Sequence, residues 1–417
     1  MIRRLAILSV HTSPLAPMGG KKTGGMNVYI RELAQELGAR GIAVDIFTRR
    51  TSYDEPKIDH RIGENVRVIY LEAGKVRSLA PDDIYPYLSE FTARLMAFTT
   101  RHGLKYDMIY SHYWLSGWVG QKLKESWGTP FVHMFHTLGQ MKQRILSHST
   151  IMPTQRIRTE TEVINWADRI IAATPAEHSQ LMWLYRANRR KIEIVPPGVN
   201  IERFSPLSQS EAKQQLGFED NHKIILFVGR IEPLKAIDSI INALNVVQQE
   251  SPSLINEIRF AVVGGDPNDK HDKEMMYLQE LTENYGLSDV VLFLGAKDQT
   301  QLPIYYAAAT VVVMPSDYES FGMVALEAMA MGTPVIASNV GGLGYLVKDA
   351  KTGFLVPVRE PHTIATCITK FVTDEECCEQ MGYNASQLAQ EYAWNKIADR
   401  ILCIFDDILG KCKAHVS

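Results

Sequence analysis

Cysteine is scarce and unevenly placed in this sequence. The first 366 residues contain none, and the cysteines lie in the last fifth of the chain, at Cys367, Cys377, Cys378, Cys403 and Cys412. They form no pair of CxxC units, so neither a disulfide framework nor a cysteine zinc site is expected. A reduced, cytoplasmic setting fits this use of cysteine.

Long apolar runs and an excess of positive charge are also missing. No apolar run approaches the roughly 18 to 20 residues that a membrane-spanning helix needs. The largely apolar stretch near the start covers only Leu5 to Val10, so it predicts a first β-strand rather than a signal peptide. The formal net charge is −3 at pH 7, which provides no broad basic field. We therefore expect no membrane span and no nucleic-acid partner.

Three common functional motifs are absent as well. The stretch Gly24-Gly25-Met26-Asn27 lacks the spacing of the dinucleotide fingerprint GxGxxG. The stretch Gly20-Lys21-Lys22-Thr23 lacks the glycine and the spacing of a Walker loop. No histidine stands in the close His/Glu pattern of a hydrolytic zinc site. The sequence therefore disfavours a nicotinamide-dependent enzyme, a P-loop nucleotide-binding protein and a zinc hydrolase.

What the chain does contain is enough for two globular domains. It has 417 residues, of which 46% are hydrophobic and 22% are charged. Typical domain sizes favour two domains of roughly 200 residues each. The stretch Pro196-Pro197-Gly198 breaks regular structure and predicts a hinge. We expect a first domain over 1–196, a second domain over 197–390, and a C-terminal helix over 391–417 that crosses back to the first domain.

Short apolar runs alternate with helical-looking stretches in both halves, which predicts an α/β fold of two doubly wound, Rossmann-like parallel sheets facing across a cleft. Ligands of such sheets bind beyond the carboxyl ends of the strands. The first series of runs is Leu5–His11, Val44–Thr48, Val66–Leu71, Met108–His112, Phe131–His136, Ile170–Thr174 and Ile192–Val195. The second series is Ile224–Gly229, Phe260–Gly264, Val290–Leu294, Val311–Met314, Pro334–Ala337 and Gly353–Val356.

A glycine turn follows the first strand. Gly24 and Gly25 precede the helical pattern Val28–Leu37. Bare glycine backbone at a helix start lets N–H groups approach an anionic phosphate. An ordinary strand-to-helix turn is an equally good interpretation of these residues alone.

Two cations follow the first strand of the second half, in Gly229-Arg230-Ile231-Glu232-Pro233-Leu234-Lys235. Arginine supplies a fixed fork of donors and lysine a point charge. Arg230 and Lys235 could therefore clamp a departing diphosphate. The alternative is a pair of solubilising surface charges.

Two carboxylates, Glu319 and Glu327, lie eight positions apart just after an apolar strand. A helix that starts near Phe321 would leave Glu319 in the loop and would present free N–H groups from Ser320 to Met323. One acid could then bind ribose hydroxyls and the other sugar hydroxyls. The alternative for Glu327 is an exposed charge on the helix surface.

Histidines concentrate at predicted strand ends, at His11, His112, His133 and His136. A neutral imidazole at His136 could hydrogen-bond a sugar hydroxyl or the acceptor. The commoner role of any one such histidine is structural.

Taken together, these motifs resemble the retaining glycosyltransferases of family 4, which have the two-domain GT-B fold. The resemblance covers essentially the whole chain and rests on Gly24-Gly25, the Arg230/Lys235 pair and the Glu319–Glu327 segment. It is strongest to the members that act on D-inositol 3-phosphate, with the sucrose-phosphate synthases next. It is carried there by His11-Thr12-Ser13-Pro14-Leu15, Gly24-Gly25-Met26-Asn27-Val28-Tyr29, Ser111-His112-Tyr113-Trp114-Leu115-Ser116-Gly117 and His136-Thr137-Leu138.

The resemblance implies a role for each of these residues. The catalytic set would be His136, Glu319, Arg230 and Lys235. The donor-binding set would add the ribose-binding Glu327, Gly25 at the donor phosphate, and the backbone of Ser320, Phe321, Gly322 and Met323. The acceptor-binding set would be His11, Asn27, Tyr113, Thr137 and Arg156.

Two departures leave the acceptor open. The lysine that the inositol-phosphate enzymes carry before Asp82-Asp83 falls near Pro81 here, and Lys75 or Arg77 would replace it only if the loop differs. Gly139 after Leu138 resembles the sucrose-phosphate pattern instead.

The expected function is transfer of glucose or N-acetylglucosamine from a nucleoside diphosphate sugar, UDP-linked by resemblance, to a small phosphorylated acceptor such as inositol 3-phosphate. Retention without an evident carboxylate nucleophile favours front-face transfer, in which the leaving diphosphate takes the proton of the attacking hydroxyl. The alternatives are a sucrose-phosphate synthase using UDP-glucose and fructose 6-phosphate, a nucleotide-sugar epimerase, and a non-catalytic sugar-nucleotide sensor. The sequence requires no cofactor, no motif supports a Mg²⁺ ion, and a homodimer is a further expectation.

Overall fold

The computed structural model describes residues 2–16, 24–145 and 154–410. These residues form two compact units. Unit 1 comprises residues 2–16, 24–145, 154–197 and 394–410, and unit 2 comprises residues 198–393. Every helix in the described ranges is too short or too polar to span a lipid bilayer.

Unit 1 is built on one eight-stranded sheet with the order β3-β4-β2-β1-β5-β6-β7-β8. Neighbouring strands are parallel except for the short β3, which runs antiparallel to β4. Its strands are β1 (Arg4–Leu8), β2 (Ala43–Arg49), β3 (Ile58–Asp59), β4 (Val66–Leu71), β5 (Met108–His112), β6 (Phe131–Met134), β7 (Arg169–Ala172) and β8 (Ile192–Ile194). The helices between them are α1 (Gly25–Ala39), α2 (Pro81–Ile84), α3 (Leu88–Arg101), α4 (Tyr113–Trp127), α5 (Gly139–Ile145), α6 (Thr154–Trp166) and α7 (Pro175–Tyr185).

Unit 2 is built on a six-stranded, fully parallel sheet with the order β11-β10-β9-β12-β13-β14. Its strands are β9 (Lys223–Val228), β10 (Ile258–Val263), β11 (Val291–Phe293), β12 (Val311–Met314), β13 (Val335–Ser338) and β14 (Gly353–Val356). Its helices are α8 (Gln209–Gln215), α9 (Asp238–Glu250), α10 (Lys273–Asn284), α11 (Leu302–Ala308), α12 (Met323–Ala330), α13 (Leu343–Leu346), α14 (Pro361–Thr373) and α15 (Glu375–Ala389).

Both sheets confirm the predicted pair of Rossmann-like α/β domains. Their central strands are buried along almost their whole length, as in β5 and β12, because helices cover both faces of a parallel sheet. In each sheet the strand order reverses at one place, between β1 and β5 in unit 1 and between β9 and β12 in unit 2. The loops that leave such neighbouring strands in opposite directions open a crevice for a ligand.

The C-terminal helix α16 (Trp394–Ile408) belongs to unit 1. Its Trp394 ring lies 5.4 Å from the Tyr29 ring, and its Phe405 ring lies 5.7 Å from the Tyr110 ring. Asp399 of α16 forms an ion pair with Arg40. The rings and the ion pair together hold the helix on unit 1.

Several elements differ from those expected from the sequence. The C-terminal helix expected over 391–417 begins at Trp394, because a 3-10 turn over Gln390–Tyr392 and the extended Ala393 separate α15 from α16. Strand β6 ends at Met134, two residues before His136. The two-residue β3 was not predicted, since a strand so short has no periodicity to read. Residues 20–23 and Cys412 lie outside the described residues.

Candidate functional site

In unit 2, Lys235 and Glu319 meet at the crevice where the strand order reverses. Lys235 ends a 3-10 turn over Pro233–Lys235 after β9, and Glu319 lies in the loop after the neighbouring strand β12. Lys235 Nζ lies 2.5 Å from Glu319 Oε2, and each side chain is 17% exposed. A cation and a carboxylate that keep access to solvent are thus brought together at the place where a parallel sheet binds its ligand.

Arg230 lies five residues before Lys235 in the same strand-end segment. Its Nη1 donates to Glu232 Oε1 at 2.7 Å, and its side chain is 41% exposed. The guanidinium is therefore at the carboxyl end of β9, as the sequence predicts, and its ion partner is a residue of its own turn.

The loop after β12 leads into α12 two residues later than expected. The helix begins at Met323, and Gly322 forms its N-cap with a φ of 105°. Phe321 is 3% exposed and its ring lies 6.1 Å from the Tyr392 ring. Phe321 can therefore offer a ligand only its backbone, because its side chain belongs to the core of unit 2.

Glu327 is a buried acid, and the alternative of an exposed helix charge is wrong. It is 5% exposed. Its Oε2 accepts a hydrogen bond from the Tyr306 hydroxyl at 2.8 Å, and its Oε1 accepts one from Gln299 Nε2 at 3.0 Å. These two donors fix the orientation of the carboxylate, whose oxygens can each accept more than one hydrogen bond.

The loop that carries Glu319 rests on a pair of glycines that the sequence analysis did not single out. Gly342 N donates to Glu319 O at 2.9 Å. A Cβ atom on Gly342 would lie 2.2 Å from Phe321 Cα, so no larger residue fits there without moving the loop. The signal in the sequence was Gly341-Gly342 shortly after the strand Val335–Ser338.

In unit 1, the acceptor residues expected from the resemblance form a connected set. Arg156 Nη1 donates to the Tyr113 hydroxyl at 3.1 Å, and Arg156 Nη2 donates to Thr137 O at 2.9 Å and Thr137 Oγ1 at 3.1 Å. The His11 ring lies 4.3 Å from the Tyr113 ring. Two residues, Tyr113 and Thr137, thus bond one guanidinium, and His11 packs on one of them.

Asn27 has a different position in this set. Its Nδ2 donates to Thr12 Oγ1 at 2.9 Å and to Ser13 O at 2.6 Å, and its Oδ1 accepts from Gly24 N at 3.2 Å. The amide thereby ties the loop after β1 to the start of α1. Gly25 is the first residue of that 15-residue helix and is exposed, which leaves its backbone open to an anion.

Glu160 and Gly139 hold Arg156 in place, and no role for Glu160 was predicted from the sequence. Glu160 is fully buried and its Oε1 accepts from Arg156 Nε at 2.7 Å. It also accepts from Gly139 N at 3.1 Å and 3.0 Å, and from the Tyr185 hydroxyl. A Cβ atom on Gly139 would lie 2.9 Å from Glu160 Oε2. The sequence signal that could have identified this ion pair is the spacing of four residues between Arg156 and Glu160 on one helix.

His136 and Tyr113 both have a left-handed backbone, with φ of 60° and 74°. Such a conformation costs roughly 1 to 3 kcal/mol for a non-glycine residue and recurs at functional sites. His136 Nε2 lies 3.0 Å from His112 Nδ1. Burial, and secondarily the charge of His11, lowers the pKa of His136 to about 3, so its imidazole is neutral at neutral pH.

His133 lies inside β6 rather than at a strand end. It is fully buried and its Nδ1 lies 2.7 Å from Ser111 Oγ on the neighbouring strand β5. Burial lowers the pKa values of both His133 and His112, with further lowering by neighbouring histidines. His133 is therefore a core histidine.

This chain has no lysine near Pro81, where the resemblance to the inositol-phosphate enzymes would place one. Asp82 follows Pro81 at the start of α2, and burial raises the pKa of its carboxyl while the charge of Arg156 opposes that rise. Both Lys75 and Arg77 are exposed, and their carbonyls accept from the Arg49 guanidinium at 2.8 Å and 2.6 Å. Among the residues that the structure describes, no group of three or more His, Cys, Asp or Glu side chains could hold a metal ion.

Comparison with known proteins decides the family. A model described as Glycosyltransferase Family 4 matches residues 23–203, and one described as Glycosyl transferases group 1 matches residues 208–388. A D-inositol 3-phosphate glycosyltransferase of Thermobifida fusca is 38% identical over 99% of this chain and 95% of its own length. The chain belongs to the family 4 type of glycosyltransferases.

Two further comparisons place this glycosyltransferase within the family. A D-inositol 3-phosphate glycosyltransferase of Streptomyces avermitilis is 42% identical over 95% of this chain and 86% of its own length. A solved structure of a sucrose-phosphate synthase from Thermosynechococcus elongatus has a TM-score of 0.88 and 33% identity, and covers 98% of this chain and 100% of the other. The predicted GT-B fold is confirmed by this likeness, and so is the predicted resemblance to both kinds of enzyme.

Proposed function

We propose that this glycosyltransferase moves glucose or N-acetylglucosamine from a UDP-linked donor to a hydroxyl of a small phosphorylated acceptor such as inositol 3-phosphate, with retention of anomeric configuration. The observation that carries the donor half is the contact between Lys235 and Glu319 at the β9/β12 crevice. A diphosphate needs cations at that place and a sugar needs hydrogen-bond acceptors, and both are present.

Each donor residue takes one part of the nucleotide sugar in this proposal. Arg230 and Lys235 bind the diphosphate and stabilise the negative charge that grows on it as the sugar leaves. Glu319 and the backbone N–H groups of Ser320 to Met323 bind the transferred sugar, since those groups precede or begin a helix. Glu327 accepts from the ribose hydroxyls while Tyr306 and Gln299 hold its carboxylate.

The proposed acceptor is supported by Arg156 and the residues that it bonds. An arginine that bonds Tyr113 and Thr137 offers a cation and two hydroxyls to a phosphate. The names of the D-inositol 3-phosphate glycosyltransferases support a phosphorylated polyol as the acceptor. His11, which contacts the Tyr113 ring, binds the acceptor beside these residues. Asn27 contributes indirectly, because it ties the loop after β1 to the start of α1.

The transfer itself needs no protein nucleophile in this proposal. The acceptor hydroxyl attacks the anomeric carbon from the face that the diphosphate leaves, and the departing diphosphate oxygen takes the hydroxyl proton. The protein then contributes alignment and charge stabilisation. The family resemblance supports two further roles in this proposal, a hydrogen bond from the neutral imidazole of His136 to a sugar hydroxyl and binding of the donor phosphate by the backbone of Gly25.

A second acceptor has specific support. The sucrose-phosphate synthase likeness, with 33% identity, favours fructose 6-phosphate with UDP-glucose. Gly139, which packs on Glu160, is the residue that follows that pattern in this chain.

One screen separates these functions. UDP-glucose and UDP-N-acetylglucosamine are each incubated with inositol 3-phosphate, fructose 6-phosphate, inositol or fructose, and products are detected by mass spectrometry. We expect a product mainly with inositol 3-phosphate, and a product with fructose 6-phosphate would select the second candidate. Efficient transfer to an unphosphorylated polyol would contradict the acceptor assignment.

Two controls complete the screen. Donor incubated alone tests the epimerase alternative, because an epimerase converts its nucleotide sugar without an acceptor. Acceptor-dependent release of UDP excludes a non-catalytic sensor. The anomeric proton coupling of the product, measured by NMR, tests retention. The cytoplasmic setting and the homodimer stay predictions from the sequence.

A further inference from the structure

Arg359 joins the two loops that hold the donor residues in unit 2. It lies between β14 and α14, and none of the motifs discussed above contains it. Its Nε and Nη2 donate to the Asp317 carboxylate at 2.9 Å and 2.7 Å, and its Nη1 donates to the Asp238 carboxylate at 2.8 Å and 2.9 Å. Its Nη2 also donates to Pro233 O at 3.0 Å.

The partners of Arg359 lie directly beside the donor residues. Pro233 begins the turn that ends at Lys235, and Asp238 is the first residue of α9 after that turn. Asp317 lies two residues before Glu319. The two segments also touch without Arg359, because Asp317 N donates to Leu234 O at 2.9 Å. One guanidinium therefore bridges the Lys235 turn and the Glu319 loop.

We infer that Arg359 is a positioning residue for the donor site, which sets the separation of Lys235 and Glu319 by clamping their two loops. The inference rests on the proposed function of these two residues. Arg359 itself does not bind the donor, because all three of its side-chain nitrogens are engaged within unit 2. A lysine cannot replace it fully, since an ammonium lacks the planar fork that serves two carboxylates at once.

The clamp contributes geometry more than stability. The Arg359 side chain is 42% exposed, and exposed ion pairs add little to the free energy of folding. Arg359 pairs with two carboxylates at once, and a network of this kind can add more stability than a single exposed pair and also fixes the orientation of its members. Loss of Arg359 should therefore loosen the two loops while the rest of unit 2 stays folded.

The backbone of Arg359 makes a clean test available. Its φ is 57°, in the left-handed region that glycine adopts freely. Arg359→Gly therefore removes the side chain without adding backbone strain. Ala350→Gly is the matched control, because Ala350 also has a left-handed backbone, with φ of 54°, and is exposed in the same unit.

The first measurement is hydrogen exchange of the full chain without any ligand. We expect the amides of Leu234 to Lys235 and of Asp317 to Ser320 to exchange about tenfold faster in Arg359→Gly, since the opening of a local segment controls exchange. Arg359→Lys should lie between wild type and Arg359→Gly, and Ala350→Gly should match wild type. Unchanged exchange in both segments would overturn the inference whatever the enzyme's substrates are.

The second measurement is binding and turnover. UDP binding by calorimetry should weaken about tenfold in Arg359→Gly, which corresponds to about 1.4 kcal/mol. The donor KM should rise with it while the acceptor KM and the thermal midpoint stay near the wild-type values. A variant that changes the acceptor KM equally, or whose unfolding midpoint alone drops, would show a general structural role and refute the clamp. A wild-type chain that binds no UDP would instead count against the proposed donor, and the exchange data would still decide the clamp.

Discussion

Lys235 Nζ and Glu319 Oε2 lie 2.5 Å apart although 84 positions separate the two residues in the chain. The contact exists because β9 and β12 are neighbours in the sheet of unit 2, so the loops after them begin side by side. The pair satisfies both charges within the protein. In the proposed function, a donor diphosphate takes over the ammonium and leaves Glu319 available to the sugar.

Replacement of Lys235 by alanine should lower turnover by about 100-fold or more, as the loss of one charge-stabilising donor typically does. The measurement is kcat for UDP release with saturating acceptor. Lys351→Ala is the control, because Lys351 is exposed in the same unit and lies outside the crevice loops. Wild-type turnover in Lys235→Ala would count heavily against the donor assignment.

Replacement of Tyr306 by phenylalanine should destabilise the protein by about 1.5 to 3 kcal/mol, because a buried carboxylate oxygen of Glu327 loses its donor. The donor KM should rise several-fold while the acceptor KM stays constant. Denaturant unfolding and donor titrations measure the two effects. Tyr285→Phe is the matched control, since the Tyr285 hydroxyl donates at the same distance of 2.8 Å to the neutral amide of Asn242. Equal effects in both variants would remove the special role of Glu327.

Replacement of Gly139 by alanine should raise the acceptor KM about tenfold and leave the donor KM unchanged. The added Cβ would lie 2.9 Å from Glu160 Oε2, so Glu160 must shift and Arg156 must shift with it. Such overpacking typically costs about 1 to 3 kcal/mol of stability. Gly120→Ala is the control, because its Cβ would also come within 2.9 Å of a neighbour, the Phe131 ring, away from Arg156. A rise in acceptor KM in both variants would contradict the specific coupling.

Glu177 should make the protein less stable as the pH rises from 4.5 to 7. Burial raises its pKa from 4.5 to about 7, opposed by the amide of Ala173. Between these two pH values the folded state holds the proton that the unfolded state has lost. The contribution of Glu177 to the free energy of unfolding is therefore fully present below pH 4.5 and is lost as the pH rises through 7. A shift of this size corresponds to roughly 3 kcal/mol.

Thermal unfolding midpoints at pH 5 and pH 8 test this prediction. Glu177→Gln should be more stable than wild type at pH 8 and should flatten the pH dependence, because glutamine keeps the acceptor for Ala173 N and never ionises. The exposed Glu211→Gln on α8 should follow the wild-type curve. A Glu177→Gln curve parallel to wild type would show that Glu177 stays ionised in the fold.

Many elements could be predicted from the sequence because their signals are local. The runs Val66–Leu71, Met108–His112, Val311–Met314 and Gly353–Val356 coincide with β4, β5, β12 and β14. Apolar runs between breakers identify buried strands without reference to the rest of the chain. The start of α12 was misplaced because Gly322 takes a left-handed N-cap conformation, which residue type alone does not dictate.

The candidate site divides in the same way. The sequence indicated Lys235, Glu319 and Arg156 by residue type and by their places after apolar runs. It did not indicate Glu160, the Gly341-Gly342 support or Arg359, because their importance lies in contacts with residues far along the chain. His133 was placed at a strand end by pattern, whereas it lies inside β6, fully buried and paired with Ser111 of β5, which gives it a core position.

The order of apolar runs, glycine turns and charged residues along this chain was sufficient to determine the fold class and the family, since these patterns repeat within short windows. Only the tertiary structure decided that Glu327 is buried beneath two donors, that Arg156 is held by Glu160, and that Arg359 bridges two loops. Burial and long-range hydrogen bonds depend on which strands become neighbours. That adjacency arises when the whole sheet forms, and no local window of sequence contains it.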